Sequence, residues 1–488
     1  MSDKIKSYFK DNGINLRLIL IYLLLISSFL PKTYLPYIVI TILAVFSFIY
    51  FRKTLSGKVF VYFLIALFAI SVISWLYNFF VYHDIDFLGL IIWWLTNLFP
   101  FLIIILIATL DEDIDIRKVI NFYFLILLFE FFIIIFQATE KNKFYGDHIT
   151  GTCYDAHVLS IHFSIGIILA LSEIFLEVKR NSNIIVTNRS NKNVIKNLLY
   201  ILIFFTGQLM AAYKANIIIL YTVLLLFFFY HFIKEISIFK KQLRKTLKYT
   251  VAFVALVIVI FIALTQTYLL EDLQTHTEMT INNVDNISKQ YDIEDWQDLE
   301  RWGGKVYSYQ VAFSKIPKEI NWFFGYGPST YISRASIYRN SKMSYYITKI
   351  SEDKLKLSKE KVQILKKFFS ERISKIDYKY IYKIRFNSTL NAPMTSVINI
   401  WVELGLQGFL FFIIFFSYLF IKLRKVKVSN PLNGGSEYFN LNNFLILLLA
   451  FFILELFYFN YWEYPEFVTP VMVFCILAIN NRKRLQNI

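Results

Sequence analysis

The chain contains few of the residues that form disulfides or favour turns, namely cysteine, glycine and proline. Only 2 of its 488 residues are cysteine, which excludes a disulfide scaffold. Glycine (15) and proline (9) are too few for collagen or for a Pro/Gly-rich disordered protein. Charged residues make up 18%, below the roughly 25% of soluble proteins. By contrast, 57% of the residues are hydrophobic, and they form runs of about 20, the length that crosses a bilayer core. The sequence therefore predicts a polytopic membrane protein.

The apolar runs predict an all-α fold with about twelve transmembrane helices. They are expected at about 16–31, 34–51, 59–81, 87–110, 118–138, 157–178, 197–213, 215–233, 249–269, 396–421, 442–461 and 465–480. The seventh and eighth runs are separated by only a few residues, so a single bent hairpin or one long kinked span is the alternative there. A total of ten spans is the alternative if 197–233 and one other pair are not separate spans.

One connection, 270–395, is far longer than the others. It is expected to be an extracytoplasmic loop that is mostly helical, with helices over 298–313 and 352–377. The chain is thus predicted to divide into three domains: a bundle of nine spans (1–269), the large loop (270–395) and three further spans (396–488).

Positive charge indicates the orientation of the chain. The net charge is +16, and Lys and Arg concentrate near both ends of the chain and in alternate short connections such as 179–196 and 234–248. Short cytoplasmic loops carry such an excess, so both termini are predicted to be cytoplasmic and 270–395 to lie outside. Membrane orientation accounts for the basic charge, and no nucleic-acid partner is expected.

A few polar residues interrupt the apolar pattern on the predicted outer face. His148, Asp155 and His157 lie in the loop before the sixth run, and Lys214 stands alone between two apolar runs. Glu403 sits in the tenth run, close to two glycines. The plain alternative for the loop residues is a solvated loop, and for Lys214 it is a lysine that reaches the membrane surface. Glu130 and Glu455 also lie inside apolar runs, and the plain alternative for each is a buried acid bonded to a neighbouring helix. The histidines lack the His-x-x-x-His spacing of a helical zinc site, and no metal is expected.

Four segments together resemble the bacterial O-antigen polymerase and ligase family of membrane glycosyltransferases. Thr150–His157 is similar to the family's G-T-x-x-[DN]-x-N segment, with His157 in place of the usual Asn, and Ala211–Lys214 is similar to its S-R/K segment. Glu300-Arg301-Trp302 is followed by the Phe324–Pro328 turn, which is similar to the family's F-G-x-G-P turn. Val402–Phe409 is similar to its E-x-G-x-x-G segment. The resemblance covers about 145–420 and carries no match beyond hydropathy in the first four spans.

The resemblance implies a reaction at the outer membrane face. The donor is a glycan on undecaprenyl pyrophosphate; an acceptor sugar hydroxyl attacks its anomeric carbon, and the lipid pyrophosphate leaves. Arg301 and Lys214 are implied to stabilise the leaving charge, and Asp155, His157 and Glu403 are alternative general bases. The residues expected to bind substrate are His148, Trp302, Tyr326, Arg334 and Arg339. No cofactor is implied.

One departure from the family pattern separates polymerase from ligase. Ligases usually carry a His just before the tenth span, whereas this chain has Asn391-Ala392-Pro393-Met394-Thr395. We therefore expect a polymerase of lipid-linked oligosaccharide repeats in the bacterial inner membrane, building O-antigen, capsule or a related polysaccharide. A ligase is the nearest enzyme alternative, and a lipid-glycan flippase is the alternative from another class. Expected partners are the lipid-linked substrates, membrane lipid, and a chain-length regulator and flippase of the same pathway.

Overall fold

A computed structural model gives the structure of much of the chain. It describes residues 15–30, 35–51, 58–82, 87–110, 114–140, 149–153, 155–183, 188–211, 213, 215–227, 229, 309, 312–313, 321–329, 395–425, 435–459 and 461–485. All regular secondary structure within these ranges is helical, which agrees with the predicted all-α class. Most of the loop 270–395 lies outside the described residues, including 352–377 and almost all of 298–313. The ninth predicted span, 249–269, lies outside them as well.

The described helices follow the apolar runs of the sequence. They are α1 (Leu16–Ser27), α2 (Leu35–Phe51), α3 (Lys58–Tyr82), α4 (Phe87–Asn97), α5 (Phe99–Leu110), α6 (Ile116–Glu140), α7 (Ala156–Asn183), α8 (Asn188–Met210), α9 (Ala215–Phe227), α10 (Ser396–Arg424), α11 (Gly435–Tyr458) and α12 (Pro465–Leu485).

The chain is a multi-pass membrane protein by the length and hydropathy of these helices. Within the described ranges, seven helical stretches are long and apolar enough to cross a membrane, with α4 and α5 together forming one of them. Four shorter apolar helices are also present in these ranges, namely α1, α9, the Leu35–Ser47 part of α2 and the Pro465–Ile479 part of α12. In a bilayer a helix satisfies its own backbone groups, which is why long apolar runs adopt this structure.

The chain forms two compact units. The first consists of residues 1–220, 321–358 and 395–488, and the second of residues 221–320 and 359–394. All the contacts described below lie within the first unit.

The first unit has a central and a peripheral set of helices. The most apolar stretch of α7 is 89% buried, because α7 packs against α8 and α11 and also contacts α12. The corresponding stretch of α3 is only 22% buried, although α3 packs on α5 and α10. Phe80 of α3 and Phe129 of α6 are 70% and 61% exposed, as expected for side chains that face lipid.

The single span predicted over 87–110 is broken at Leu98. Pro100 has no backbone N–H, which interrupts the helical hydrogen bonding at this point. The indole N–H of Trp462 donates to the Asn97 carbonyl at 3.1 Å, and the Asn97 side chain donates to Oε1 of Glu463 at 2.9 Å. These two hydrogen bonds at the break hold the short turn between α11 and α12 inside the helix bundle.

Candidate functional site

Aromatic rings lie close together at the start of α7, at the α8–α9 turn and at the end of α11. His157, in the first turn of α7, stacks on Tyr213 with ring centres 4.2 Å apart and an angle of 11° between the planes. The ring of Phe459, just after α11, meets His157 edge-on at 6.0 Å, and Tyr458 tilts against Tyr213 at 6.0 Å. Tyr461 lies next to Phe459 at 5.1 Å. These five residues are called the aromatic cluster. They bring the start of α7, the α8–α9 turn and the end of α11 together.

Asp155 fixes the position of His157. The residue precedes α7, and its Oδ1 accepts hydrogen bonds from the backbone N–H groups of His157 (2.9 Å) and Val158 (3.2 Å). This is the geometry of a helix N-cap, which satisfies donors that have no partner within the helix. Both Asp155 and His157 are half-buried. One carboxylate oxygen of Asp155 thus caps the first turn of α7, and the imidazole of His157 belongs to the aromatic cluster.

The segment before Asp155 is held by two polar residues of α6. Oε1 of Gln137 accepts from the backbone N–H groups of Thr150 (3.1 Å) and Gly151 (3.0 Å). The carboxyl group of Glu130 contacts both the backbone N–H and the hydroxyl of Thr152. Gly151 has φ +57°, and a Cβ there would lie 2.3 Å from Oε2 of Glu130. The Gly-Thr pair of the first motif therefore has a structural role, and Glu130 is the buried acid bonded to a neighbouring element.

Three titratable side chains of this region, those of Cys153, Tyr213 and Tyr461, keep their protons. Burial raises the pKa of the Cys153 thiol well above its usual value, and the nearby carboxyl groups of Glu130, Asp155 and Glu466 raise it further. Cys153 therefore stays a thiol and is a poor nucleophile. Burial likewise raises the pKa of Tyr213 and Tyr461, and both phenols keep their proton.

Several predicted site residues lie outside the described residues. They are His148, Lys214, Arg301, Trp302, Arg334 and Arg339. For Lys214 the chain neighbours are informative: Tyr213 belongs to the aromatic cluster, and Ala211 and Ala215 are buried.

Glu403 belongs to a different part of the unit. Gly405 has φ +68° and ψ −159°, a conformation essentially restricted to glycine, and it breaks α10. Residues 321–329, here called the Gly325 loop, sit against this break. The backbone N–H groups of Tyr326 and Gly327 donate to the carbonyls of Val402 (2.6 Å) and Glu403 (3.0 Å).

The Gly325 loop replaces hydrogen bonds that the break removes from α10. In an unbroken helix the Leu406 N–H would donate to the Val402 carbonyl. Here the Leu406 N–H donates to the carbonyl of Trp322 at 2.9 Å, and the Val402 carbonyl accepts from the loop. An unsatisfied backbone group inside a membrane costs several kcal/mol. The contact with the Phe324–Pro328 turn thus explains the glycine-containing pattern of the Val402–Phe409 segment.

Residues of α3 and α4 complete this contact. The Ser74 hydroxyl contacts the carbonyls of Phe324 (2.6 Å) and Glu403 (3.1 Å), and Nδ2 of Asn78 donates to the Gly325 carbonyl at 3.2 Å. The indole N–H of Trp93 donates to Oε2 of Glu403 at 2.8 Å. Glu403 is 1% exposed and Tyr326 is fully buried. In this conformation neither side chain faces solvent.

The structure thus brings the predicted residues together in two groups. Asp155 and His157 lie at the aromatic cluster, and Glu403 and Tyr326 lie at the break of α10. The sequence interpretation had no role for Tyr213, Ser74 or Trp93. Ser74 and Asn78 are four residues apart in an apolar helix, a spacing that places them on one face and could have indicated a polar contact.

An apolar groove runs along α10 and α11. Its volume is about 450 Å³, and its lining includes Ile400, Phe412 and Phe416 of α10 and Leu456 of α11. Ser396 lines the groove too, and its backbone N–H donates to the Phe459 carbonyl at 3.1 Å. Because Phe459 belongs to the aromatic cluster, this part of the groove is adjacent to that cluster.

Within the described ranges, no group of three or more His, Cys, Asp or Glu residues is placed to hold a metal ion. No protein-family model matches the chain, and a search of curated proteins found no match either.

Proposed function

We propose that the protein is a polymerase of undecaprenyl-pyrophosphate-linked oligosaccharide repeats, acting at the outer face of the bacterial plasma membrane. It is proposed to cross the membrane twelve times, with both termini in the cytoplasm. The observation that carries the proposal is the position of the aromatic cluster. The half-buried His157 stacks on the residue before Lys214, next to an apolar groove that runs along α10 and α11. A lipid-linked sugar needs this combination of a polar reaction site and an apolar path.

The reaction joins two lipid-linked glycans. A hydroxyl of the acceptor sugar attacks the anomeric carbon of the donor, so that a new C–O bond forms while the bond to the pyrophosphate oxygen breaks. The pyrophosphate leaves with the electron pair of that bond. Lys214 and Arg301 stabilise the developing charge, since cationic groups aimed at a leaving phosphate act without reorganisation.

The proton of the acceptor hydroxyl goes to His157 in this proposal. Among the three candidate bases, Asp155 already accepts two backbone hydrogen bonds, and Glu403 is buried and bonded to Trp93. His157 is half-buried and belongs to the cluster next to the groove. A positioned base of this kind accelerates a reaction by roughly 10²–10⁴-fold.

A reconstitution experiment tests the proposed reaction. Purified protein supplied only with synthetic lipid-pyrophosphate repeats is expected to give a ladder of longer lipid-linked products on a gel. Nucleotide sugar, ATP and a second acceptor are not needed, and EDTA is not expected to stop the reaction. A ligase would give no ladder until a distinct acceptor was added, and a flippase would leave glycan length unchanged. Either result would refute the polymerase.

The groove gives a more specific prediction about the lipid part of the substrate. Ile413 lines the groove, whereas its neighbour Ile414 does not, and both are exposed. Ile413→Trp fills part of the groove and is expected to raise the KM for the lipid-linked repeat about tenfold, a loss of roughly 1.4 kcal/mol of binding. Ile414→Trp adds the same side chain one residue further round the helix and is expected to leave the KM unchanged.

The measurement is initial elongation rate against the concentration of lipid-linked repeat in detergent micelles. Equal KM values for the two tryptophan variants would show that the groove does not hold the lipid chain. A fall in kcat with unchanged KM would contradict the binding role in the same way.

A further inference from the structure

A network of buried polar side chains lies beneath the turn that joins α8 to α9. It consists of Ser160 and Ser164 of α7, Gln208 of α8 and Asn216 of α9, and all four are fully buried. Nε2 of Gln208 donates to the hydroxyl oxygen of Ser164 at 2.9 Å. Nδ2 of Asn216 lies 2.8 Å from the same oxygen and 2.7 Å from the hydroxyl oxygen of Ser160.

These contacts tie α8 and α9 to the same side chain of α7. Gln208 and Asn216 are eight residues apart in the chain, on opposite sides of the turn. Their amide nitrogens bond the same oxygen atom, one from each helix. The two helices that flank the turn are therefore anchored at one point of α7.

The same face of α7 carries His157 and the two serines. The three residues follow at i, i+3 and i+7, so they form one stripe along the helix. His157 stacks on Tyr213 in the turn, while Ser160 and Ser164 hold the helices on either side of it. One helix face thus sets both the position of the turn and the position of the imidazole.

The composition of the network indicates a role beyond packing. Oε1 of Gln208 has no hydrogen-bond partner among the described residues, although Gln208 is fully buried. Burying an unpaired polar atom is unfavourable, and an apolar side chain of similar size would avoid this cost. What glutamine provides here is its single donor contact to Ser164.

We propose that Ser164, Gln208 and Asn216 are positioning residues, which hold the turn carrying Tyr213 and Lys214 in register with His157. The inference rests on the proposed function for its catalytic consequence: Lys214 acts on the leaving pyrophosphate and His157 on the attacking hydroxyl of the same transfer, so their separation must be fixed.

The test uses Ser164→Ala, which removes the hydroxyl oxygen that both Gln208 of α8 and Asn216 of α9 contact. Alanine favours helix, so the substitution should not disturb α7 itself. Ser172→Ala is the matched control, because Ser172 is equally buried on α7 and its hydroxyl donates only to the Leu169 carbonyl one turn earlier. Ser164→Thr keeps the hydroxyl and is expected to behave more like the unmutated protein than Ser164→Ala does.

The first readout does not depend on catalysis. Ala215→Cys places a thiol at the turn, where Ala215 is 3% exposed, in a background with Cys153 and Cys475 replaced by alanine. Labelling with a membrane-impermeant maleimide is expected to be slow in this background. It should become about tenfold faster with Ser164→Ala, as expected when lost hydrogen bonds ease local opening. Equal labelling rates for Ser164→Ala and Ser172→Ala would overturn the proposal.

The second readout is elongation kinetics. Ser164→Ala is expected to lower kcat about tenfold with little change in the KM for the lipid-linked repeat, because the turn is needed for the transition state more than for lipid binding. Faster labelling with unchanged kcat would overturn the positioning role. Faster labelling in a protein that forms no ladder even when unmutated would support the anchoring of the turn and overturn the polymerase, so the two failures are distinguishable.

Discussion

Gly405→Ala is expected to destabilise the protein severely and to abolish polysaccharide elongation. A Cβ at Gly405 would lie 2.4 Å from the Phe323 carbonyl oxygen, and the backbone conformation there is one that other residues avoid. Gly325→Ala should have the same effect, since its Cβ would lie 2.4 Å from the Gly405 N atom. In both cases the added Cβ would clash with a backbone atom of the contact between the Gly325 loop and α10. A backbone atom cannot move to another rotamer, as a side chain could.

Each alanine is expected to lower the stability by at least about 3 kcal/mol, from the strained backbone together with the carbonyls left without donors. The measurement is the melting temperature of the purified protein in detergent, followed by intrinsic tryptophan fluorescence. Ser417→Ala, on the same helix but exposed, is the control and should melt with the unmutated protein. Melting temperatures within 2 °C or so of the control for both glycine variants would refute the description of this contact.

The positions of the helices could be predicted because they depend on local composition. A run of about 20 apolar residues becomes a helix in a bilayer whatever its neighbours are, so the predicted runs and the described helices coincide closely. The predicted span over 87–110 is confirmed as one stretch that is long and apolar enough to cross a membrane. The break at Leu98 inside it does not follow from the length of the run, and Pro100 is the local signal for it.

The contact between the Gly325 loop and α10 could not be derived in the same way. The sequence shows glycines in both segments, but a glycine indicates only that an unusual conformation is possible. That Val402 and Leu406 exchange their helical bond for bonds to the loop depends on where two distant segments meet. The same holds for Tyr213 and Tyr461, which come together because α7, α8 and α11 pack side by side.

The ranking of the three candidate bases also came from packing. Asp155, His157 and Glu403 are equally suitable by residue type. Their surroundings separate them, since one caps a helix, one bonds an indole, and one lies at the aromatic cluster. This ranking leads to the second prediction.

His157→Phe is expected to lower the rate of elongation by about 10²–10⁴-fold while leaving the fold intact. Phenylalanine preserves an aromatic ring that can stack on Tyr213 and removes the nitrogen atoms that can accept a proton. Replacement of Lys214 or Arg301 by alanine should be at least as damaging, because a charge-assisted contact to the leaving pyrophosphate is worth several kcal/mol in the transition state.

Two conservative variants serve as matched controls for His157→Phe. Asp155→Asn keeps a side-chain oxygen that can cap α7, and Glu403→Gln keeps an oxygen that can accept from Trp93. Both are expected to retain elongation within about tenfold of the unmutated protein, since each keeps the hydrogen bonds that the structure assigns to that residue. The three variants are compared by the initial rate of ladder formation at saturating lipid-linked repeat, with protein amounts matched by fluorescence-detected chromatography. Full activity in His157→Phe together with loss of activity in Glu403→Gln would transfer the role of the base to the break in α10. Activity lost only in Asp155→Asn would transfer it to the carboxylate that precedes α7.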